Sequence, residues 1–327
     1  MSKICVTEGN LALLQDDRCG VFRGSTAAVN AIPGMDVGSA SAMVNPHLFE
    51  ELMRMGVISA NVQRNALTVQ TKTGLRARIP VVIDPLRDTA LNQPADGQTV
   101  SGAAFGQWLA GALAVAKATG SLVYTWRSNV FSYQRNVLAS ARLDSAWPVF
   151  FAVQKQALDT FAGCIGEREI KDASVSRLEL LVGAETFQAR VTAPELPMPE
   201  SAMALLAKVK PHTGAAQFLV PMNLIRPAIH QIKVLAGAHR IKDSSVSVSQ
   251  IHGSLRIRSE FLDIEVPGVT LSQHAFRTAS SALMALDAIE GDVLEIVQDA
   301  GNDVNAPLVV RGKNISLLLA VHREEAP

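Results

Sequence analysis

The residue types that perform catalysis are dispersed along this chain of 327 residues. His47 and Glu50 stand at helical spacing, but a lone pair of this kind is more often a solvated helix face than a metal site. Asp243, Asp263 and Asp287 fall at predicted turns, strand surfaces and helix ends, where they have structural roles. The sequence contains no Gly-x-Ser-x-Gly elbow, phosphate-binding glycine loop, His-Glu-x-x-His or Cys-x-x-Cys. We therefore expect no enzyme, no metal site and no cofactor.

The composition is that of an ordinary soluble protein, with 48% hydrophobic and 18% charged residues and a formal net charge of zero. Its longest apolar runs are far shorter than the roughly 20 residues of a membrane span. The first residues lack the apolar core of a signal peptide. Three scattered cysteines without metal-ligand spacing are expected to be buried free thiols. These features predict a cytoplasmic protein without membrane contact.

Charges of opposite sign are segregated along the chain. Residues 97–143 and 201–242 contain no Asp or Glu, whereas residues 260–303 carry nine acids. A basic surface on an otherwise acidic body can follow the phosphates of a nucleic acid. Acid-free stretches also arise by chance when charged residues are this few. The pattern therefore favours a nucleic acid partner without requiring one.

The elements that would position these charges repeat, because residues 217–323 twice show a helix followed by an antiparallel meander. The first helix is predicted from Pro221 and the second from an N-cap at Ser272. Their predicted buried faces are Leu224, Ala228, Ile232 and Leu235, and Phe276, Ala279, Leu283 and Leu286. The predicted strands are 246–248, 255–258, 262–266, 293–297, 308–311 and 315–321.

Earlier parts of the chain show the same unit. Helices are predicted after Pro46, after Ser101 and after the strand at 149–153, each with strands behind it, and a short helix over 202–209. Five units match the pattern, and the first forty residues look like a sixth that has lost its helix. Proline-rich breaks at 84–97 and 195–199 then predict domains over 1–95, 96–200 and 201–327.

The two units from 217 to 323 resemble the carboxy-terminal domain of the bacterial sliding clamp, the DNA polymerase III beta subunit family. The resemblance is carried by segments 243–248, 253–257, 285–296 and 306–311 and by the final apolar strand. Residues 100–197 are similar to that family's middle domain, and residues 43–80 to the second half of its first domain. The chain departs from the pattern in the missing first helix.

This resemblance implies an α+β fold of three clamp-like domains, each made of two helix-plus-meander units, with the first domain reduced. It implies a homodimeric ring that acts as a processivity factor in DNA replication, encircling duplex DNA without reading its bases. DNA polymerase and clamp loader peptides would be the partners. The reduced first domain is compatible with an origin in a phage or mobile element.

The resemblance also implies two sites. Basic residues that could face a central channel are Arg226, Lys233, Arg240, Lys242 and Lys117; the alternative is that they are solvated surface charges. A partner-peptide groove would involve Arg142, Leu143, Leu318, Ala320 and Val321. The leucines of the last strand could equally close the core, because alternate residues of any strand face inward.

Two other functions fit the pattern. Repeated β-rich modules with basic faces also bind RNA or single strands, as a subunit of a repeat-built nucleoprotein. A protein with the clamp fold could also act only as a scaffold for partners. Ring-shaped dimers would distinguish the clamp from the single-strand binder.

Overall fold

The computed structural model describes residues 12–15, 18–23, 26–31, 35–36, 42–44, 54–63, 66–80, 82–83, 97–184, 187–238, 244–298 and 306–323. The chain divides into two compact units. Unit 1 comprises residues 1–109 and 148–195, and unit 2 comprises residues 110–147 and 196–327. The division cuts one helix and one long strand, each of which contributes to both units.

Unit 1 contains two sheets. The nine-stranded sheet is antiparallel throughout its recorded pairings and has the order β10 (Gln98–Ser101), β13 (Asp172–Val175), β14 (Glu179–Ala184), β15 (Phe187–Thr192), β3 (Thr26–Ala31), β2 (Arg18–Arg23), β1 (Ala12–Gln15), β5 (Ala42–Val44) and β9 (Val82–Ile83). The second sheet has the order β4 (Met35–Asp36), β6 (Val57–Gln63), β7 (Ala66–Thr71) and β8 (Arg76–Pro80).

Two helices supply the aromatic core of unit 1. Helix α1 spans Gly102–Thr119, of which residues 102–109 belong to this unit, and α2 spans Lys155–Ile165. Phe105 of α1 stacks on Trp108 at 5.9 Å between ring centroids and meets Phe161 of α2 edge to face at 6.2 Å. All three side chains are almost completely buried. The predicted helix starting after Ser101 is confirmed, and Trp108 is its most deeply buried side chain together with Ala112 and Val115.

Unit 2 also contains two sheets. The six-stranded sheet has the order β11 (Val123–Gln134), β12 (Val137–Val153), β23 (Ser316–Leu319), β22 (Leu308–Arg311), β21 (Val293–Gln298) and β16 (Phe218–Pro221). The five-stranded sheet has the order β19 (Leu262–Pro267), β18 (Ser254–Ser259), β17 (Ser245–Ile251), β20 (Phe276–Ala279) and β24 (Val321–Arg323).

Two strand pairings join segments far apart in sequence. In unit 1, β15 pairs with β3, and in unit 2, β12 pairs with β23 through partners such as Leu138 and Leu318. Each pairing places a strand of residues 96–200 beside a strand from before or after that stretch. The sheets therefore continue across both of the predicted domain boundaries.

Besides residues 110–119 of α1, the described part of unit 2 contains three helices. They are α3 (Glu200–Val209), α4 (Met222–Ala238) and the short α5 (Ser280–Met284), which continues as a 3₁₀ turn at Ala285–Ala288. The buried side chains of α4 are Met222, Ile225, Ala228, Ile229 and Ile232. The predicted face was wrong at Leu224, which is exposed, because a stripe one position further along contains more isoleucine and packs better on the sheet.

The structure corrects the helix expected from Ser272. Residues 276–279 form strand β20, which pairs with both β17 and β24. Phe276 and Thr278 are buried and Arg277 is exposed, which is the alternation of a strand rather than the period of a helix. The Ser272 hydroxyl accepts a hydrogen bond from the His274 N–H in a turn, and helix α5 begins only at Ser280.

The meanders after each helix are confirmed where they fall on described residues. The helix expected after Pro46 lies almost entirely outside the described residues, as does the proline-rich break at 84–97 except for Gly97. The short helix expected over 202–209 is α3. Cys164 on α2 is disulfide-bonded, so the expectation of free thiols is wrong for that residue.

Candidate nucleic-acid and partner interfaces

The predicted DNA-contacting residues of α4 lie on its exposed side. Arg226 and Lys233 are seven residues apart, two helical turns, and both are exposed. The Arg226 guanidinium donates a hydrogen bond to the Gly291 carbonyl at 3.2 Å. The Lys233 ammonium pairs with the Asp287 carboxylate on the 3₁₀ turn. Both side chains therefore contact the segment that follows α5. The charge of Lys233 is partly neutralised there by Asp287.

The remaining predicted DNA contacts are divided between described and undescribed residues. Lys117 is exposed near the end of α1, where its charge also complements the helix dipole. Arg240 and Lys242 lie outside the described residues. The structure thus places three of the five predicted cations on exposed helix surfaces of unit 2.

The predicted groove residues are partly in the core. Leu143, Leu318 and Val321 are at most 6% exposed, so these side chains pack inside unit 2. Arg142 and Ala320 are exposed. The Ala320 N–H donates to the Asn136 carbonyl, which ties the end of β23 to the start of β12. Of the five predicted groove residues, only Arg142 and Ala320 are therefore accessible at the surface.

His212 lies where β12 pairs with β23. The sequence pattern did not identify it as a site residue. Its Nε2 is 2.9 Å from the Ser140 hydroxyl on β12, and its Nδ1 is 3.2 Å from the Ser316 hydroxyl on β23. Ser140 and Ser316 are direct register partners. Burial first, and then the positive charges of Arg142 and Arg311, lower the pKa of His212 from 6.5 to about 4. The imidazole is therefore neutral at pH 7 and bridges the two strands.

Two edge strands present charged side chains on one face and apolar ones on the other. On β8, Arg76 and Arg78 are exposed while Ile79 is buried. On β19, Asp263 and Glu265 are exposed while Val266 is buried. Among the residues that the structure describes, each strand is the last in its sheet, so one row of its backbone hydrogen-bonding groups has no described strand partner.

An apolar depression adjoins the β19 edge. Phe261 is 42% exposed there, and Leu235 and Leu262 line the same space. The Ser280 hydroxyl also lines it and is buried, with no hydrogen-bond partner among the described residues. Val234 on α4 is 54% exposed. An exposed apolar rim beside an open strand edge is typical of a protein interface.

An aromatic group occupies β11. The Tyr124 ring stacks on Phe131 and on Tyr133, each at 5.6 Å between ring centroids. Residues seven apart on a straight strand would be roughly 23 Å from each other, so the chain reverses between them, and Arg127 has a positive φ there. Burial and a hydrogen bond with Tyr133 raise the pKa of Tyr124 to about 12. Tyr133 is 40% exposed and ends the stack.

Among the described residues, no group of three or more His, Cys, Asp or Glu side chains is arranged to hold a metal ion. None of the described helices is both long and apolar enough to cross a membrane.

The architecture defines a class: an α+β protein whose helices pack on largely antiparallel sheets. No protein-family model matches the sequence, and no curated protein matches it either. Solved structures match over almost the whole chain. The DNA polymerase sliding clamp from Pseudomonas aeruginosa aligns with a TM-score of 0.69 at 12% identity, covering 96% of this chain and 92% of that one.

Two other bacterial proteins are also similar in structure to this chain over nearly its whole length. The beta subunit from DNA polymerase of Streptococcus pyogenes has a TM-score of 0.72 at 10% identity, over 96% of this chain and 91% of that one. The Helicobacter pylori beta clamp, solved bound to a DNA ligase peptide, has a TM-score of 0.66 at 10% identity, over 97% and 93%. The fold of this chain is therefore that of the bacterial DNA polymerase III beta sliding clamps, and the α+β prediction is confirmed.

Proposed function

We propose that this protein is a processivity factor of DNA replication, a sliding clamp that closes around duplex DNA as a homodimer without reading its sequence. The observation that carries the proposal is the agreement of nearly the whole chain with sliding clamps. The continuation of sheets through β15–β3 and β12–β23 supports it, because a ring of three domains per chain needs such edge-to-edge joints. The division of the chain into three domains, predicted from the sequence, is part of this proposal.

Two copies are joined, in this proposal, through β8 of one and β19 of the other. An antiparallel register with Arg76 opposite Glu265 also sets Arg78 opposite Asp263. The same register sets Ile79 opposite Leu262 on the inner face. Opposite charges and apolar pairs directly across a sheet are each worth about 0.2–1 kcal/mol.

The charge pattern of the five-stranded sheet supports this register. Arg256 of β18 already holds Asp263, with 2.8 Å between Nε and Oδ1, and keeps the pKa of that carboxyl low. Adding β8 would place the acidic strand β19 between two basic strands. Phe261, exposed in one copy, directly precedes β19 and would be covered by the second copy.

The dimer is tested by light scattering of the full chain, whose mass is 34.9 kDa. We expect wild type at about twice the chain mass at micromolar concentration. Arg76→Glu with Arg78→Glu should dissociate it, and Lys171→Glu, an exposed cation elsewhere in unit 1, should not. The reciprocal exchange Arg76→Glu with Glu265→Lys should restore association. A wild-type monomer would reject the ring.

The DNA contact in this proposal is electrostatic. Arg226 and Lys233 on α4 and Lys117 on α1 provide exposed cations, with Arg240 and Lys242 as further candidates. A contact made only to phosphates is insensitive to base sequence and weakens steeply with salt. Arg226→Ala combined with Lys117→Ala should lower the slope of log affinity against log salt by about two. An unchanged slope would show that these cations do not meet DNA.

Partner docking is proposed at the β12–β23 junction, where Arg142 and Ala320 are accessible and Leu143, Leu318 and Val321 are buried. The Helicobacter pylori clamp was solved bound to a DNA ligase peptide, which supports peptide docking. The partners proposed for this chain are DNA polymerase and clamp loader peptides. In this proposal the protein acts in the cytoplasm, where it catalyses no reaction itself and recruits enzymes to DNA.

A second candidate function is favoured by Tyr133. An exposed ring at the end of an aromatic stack can receive a nucleobase, and base stacking is worth about 1–3 kcal/mol. The group lies in the acid-free stretch 97–143, where Arg127 and Arg135 are also found. Fluorescence anisotropy with oligo-dT and with duplex DNA distinguishes the two functions. Stronger binding to oligo-dT that is lost in Tyr133→Ala would favour single-strand binding over the clamp.

A further inference from the structure

The disulfide of unit 1 connects parts of the chain that are far apart in sequence. Cys164 lies in the last turn of α2, and its sulfur is disulfide-bonded. The chain has two other cysteines, Cys5 and Cys19, and both are among its first twenty residues. Within one chain, the bond therefore joins α2 to the start of the sequence.

The nine-stranded sheet brings the backbone of Cys19 close to α2. Cys19 of β2 pairs with Asn30 of β3, and Asn30 pairs with Phe187 of β15, so the three residues form one row across the sheet. Helix α2 packs on β15 and β3. Cys164 is 2% exposed and lies on the buried side of α2. The strand that carries Cys19 is therefore the next one beyond the strands that α2 contacts.

A bond at this position would tie together the two sides of a strand pairing. Strand β3 lies between β15 and β2, and its pairing with β15 joins residues 1–95 to residues 96–200. Helix α2 belongs to the second of these segments and β2 to the first. A covalent bond from α2 to β2 would therefore hold the β15–β3 pairing closed, in addition to the hydrogen bonds between the strands.

We propose that Cys19 and Cys164 form a reversible, redox-sensitive cross-link that holds the β15–β3 pairing closed. Two molecules of a small monothiol, or one dithiol, break the S–S bond by thiol–disulfide exchange. Each protein sulfur then gains one electron and one proton, and the reductant is oxidised to its own disulfide. A small disulfide such as oxidised glutathione reverses the reaction. The inference goes beyond the clamp function, since it concerns unit 1 alone.

The proposed location favours a reversible bond over a permanent one. Thiols in the cytoplasm are kept reduced, and the disulfides found there are usually transient, with catalytic or redox-sensing roles. The cytoplasmic location is itself part of the function proposed above. The cross-link would therefore form when the compartment becomes oxidising and would be lost when reducing conditions return.

The framework around both cysteines does not depend on the bond. The Arg168 guanidinium donates to the Cys164 carbonyl at 2.7 Å and to the Ile165 carbonyl at 3.0 Å, which fixes the last turn of α2. Cys19 lies between two strand neighbours, since it pairs with Leu14 of β1 as well as with β3. After reduction, both thiols would therefore stay in position for the bond to form again.

Non-reducing peptide mapping of the purified full chain, equilibrated with oxidised glutathione, tests the connectivity. We expect a peptide that contains Cys19 linked to one that contains Cys164, and Cys5 as the free thiol. A link from Cys164 to Cys5 or to a second copy of the chain would overturn the inference. Three free thiols under these conditions would also overturn it.

Thermal unfolding compares the oxidised and reduced forms, with Cys5→Ser as the matched control. Reduction should lower the unfolding midpoint of wild type and of Cys5→Ser by about 5–10 °C, because the bond restricts the unfolded chain. Cys19→Ser and Cys164→Ser should unfold at the same temperature with and without reductant. A shift on reduction that persists in Cys19→Ser would overturn the inference.

Hydrogen exchange distinguishes a cross-link that closes the β15–β3 pairing from one that stabilises the whole chain. Reduction should speed amide exchange in β3 and β15 by about tenfold and leave β17 and β18 of unit 2 unchanged. Oxidised glutathione should restore slow exchange. Equal acceleration in both units, or no recovery on oxidation, would overturn the inference. Light scattering that shows a monomer in both redox states would reject the proposed ring and leave the cross-link intact.

Discussion

The ammonium of Lys233 on α4 is paired with the carboxylate of Asp287 on the 3₁₀ turn after α5, and both side chains remain partly exposed, at 40% and 38%. An exposed ion pair of this kind adds little stability and is screened by salt. Its larger effect is on the local charge. The Asp287 carboxylate offsets the positive charge of Lys233, which the proposed DNA contact would use.

Replacing the acid of this pair should therefore release the cation. We predict that Asp287→Asn changes the free energy of unfolding by less than about 1 kcal/mol and tightens duplex DNA binding at low salt. Urea unfolding and fluorescence anisotropy measure the two quantities. Glu260→Gln, which removes an exposed acid from another part of unit 2, is the matched control. Equal gains in both variants would mean that only net charge matters.

The buried face of α4 gives a stability prediction. Ile229 is 1% exposed and Leu224 is 38% exposed on the same helix. Ile229→Ala should cost about 2–5 kcal/mol because it leaves a cavity, and Leu224→Ala should cost less than about 1 kcal/mol. Denaturant unfolding of both variants measures this. Similar costs would contradict the helix face seen in the structure.

Some of the strand and helix faces could be predicted from the sequence, and others, such as the face that carries Leu224 and Ile229, could not. Alternating strands such as β18 and β19 were predictable, because one face is polar along the whole strand. For α4, apolar residues occupy more than one stripe, so the period alone could not choose between Leu224 and Ile229. For Phe276–Ala279 the spacing fitted a helix, and only pairing with β17 and β24 determines a strand.

Of the candidate sites, the exposed cations could be predicted from the sequence, whereas the contacts between distant residues could not. Exposed cations such as Arg226 could be predicted from helical spacing, but the Lys233–Asp287 pair joins residues 54 positions apart and depends on the fold. His212 was missed because its partners, Ser140 and Ser316, are distant in sequence and carry no motif. A lone histidine between a proline and a glycine in an acid-free stretch was the only local signal.

The His212 bridge predicts a dependence of stability on pH. Its pKa in the folded state, about 4, lies below the ordinary 6.5, so the unfolded chain takes up the proton first as pH falls. The stabilisation is therefore complete above about pH 6.5 and is lost progressively towards pH 4, by at most about 3 kcal/mol.

Urea unfolding of wild type and His212→Asn between pH 4 and 8 tests this dependence. The difference between the two proteins isolates the histidine from carboxylates that titrate in the same range. Wild type should lose its advantage over the variant as the pH falls. A difference that stays constant over the whole range would mean that the folded state holds the proton as readily as the unfolded chain.

The proposed docking surface predicts different outcomes for exposed and buried positions. Ala320→Asp should abolish binding of a labelled peptide from the cognate DNA polymerase, measured by anisotropy, with an unchanged unfolding midpoint, because Ala320 is exposed. Val321→Asp should instead destabilise the protein by several kcal/mol, because it buries an unpaired charge. Unimpaired peptide binding by folded Ala320→Asp would place the partner site elsewhere.

Two copies that close into a ring through β8 and β19 should be visible in class averages from negative-stain electron micrographs of the purified full chain. We expect annular particles with a central hole wide enough for duplex DNA, and their loss in Arg76→Glu with Arg78→Glu. Particles of wild type that are all compact or crescent-shaped, with no annular class at micromolar concentration, would contradict it.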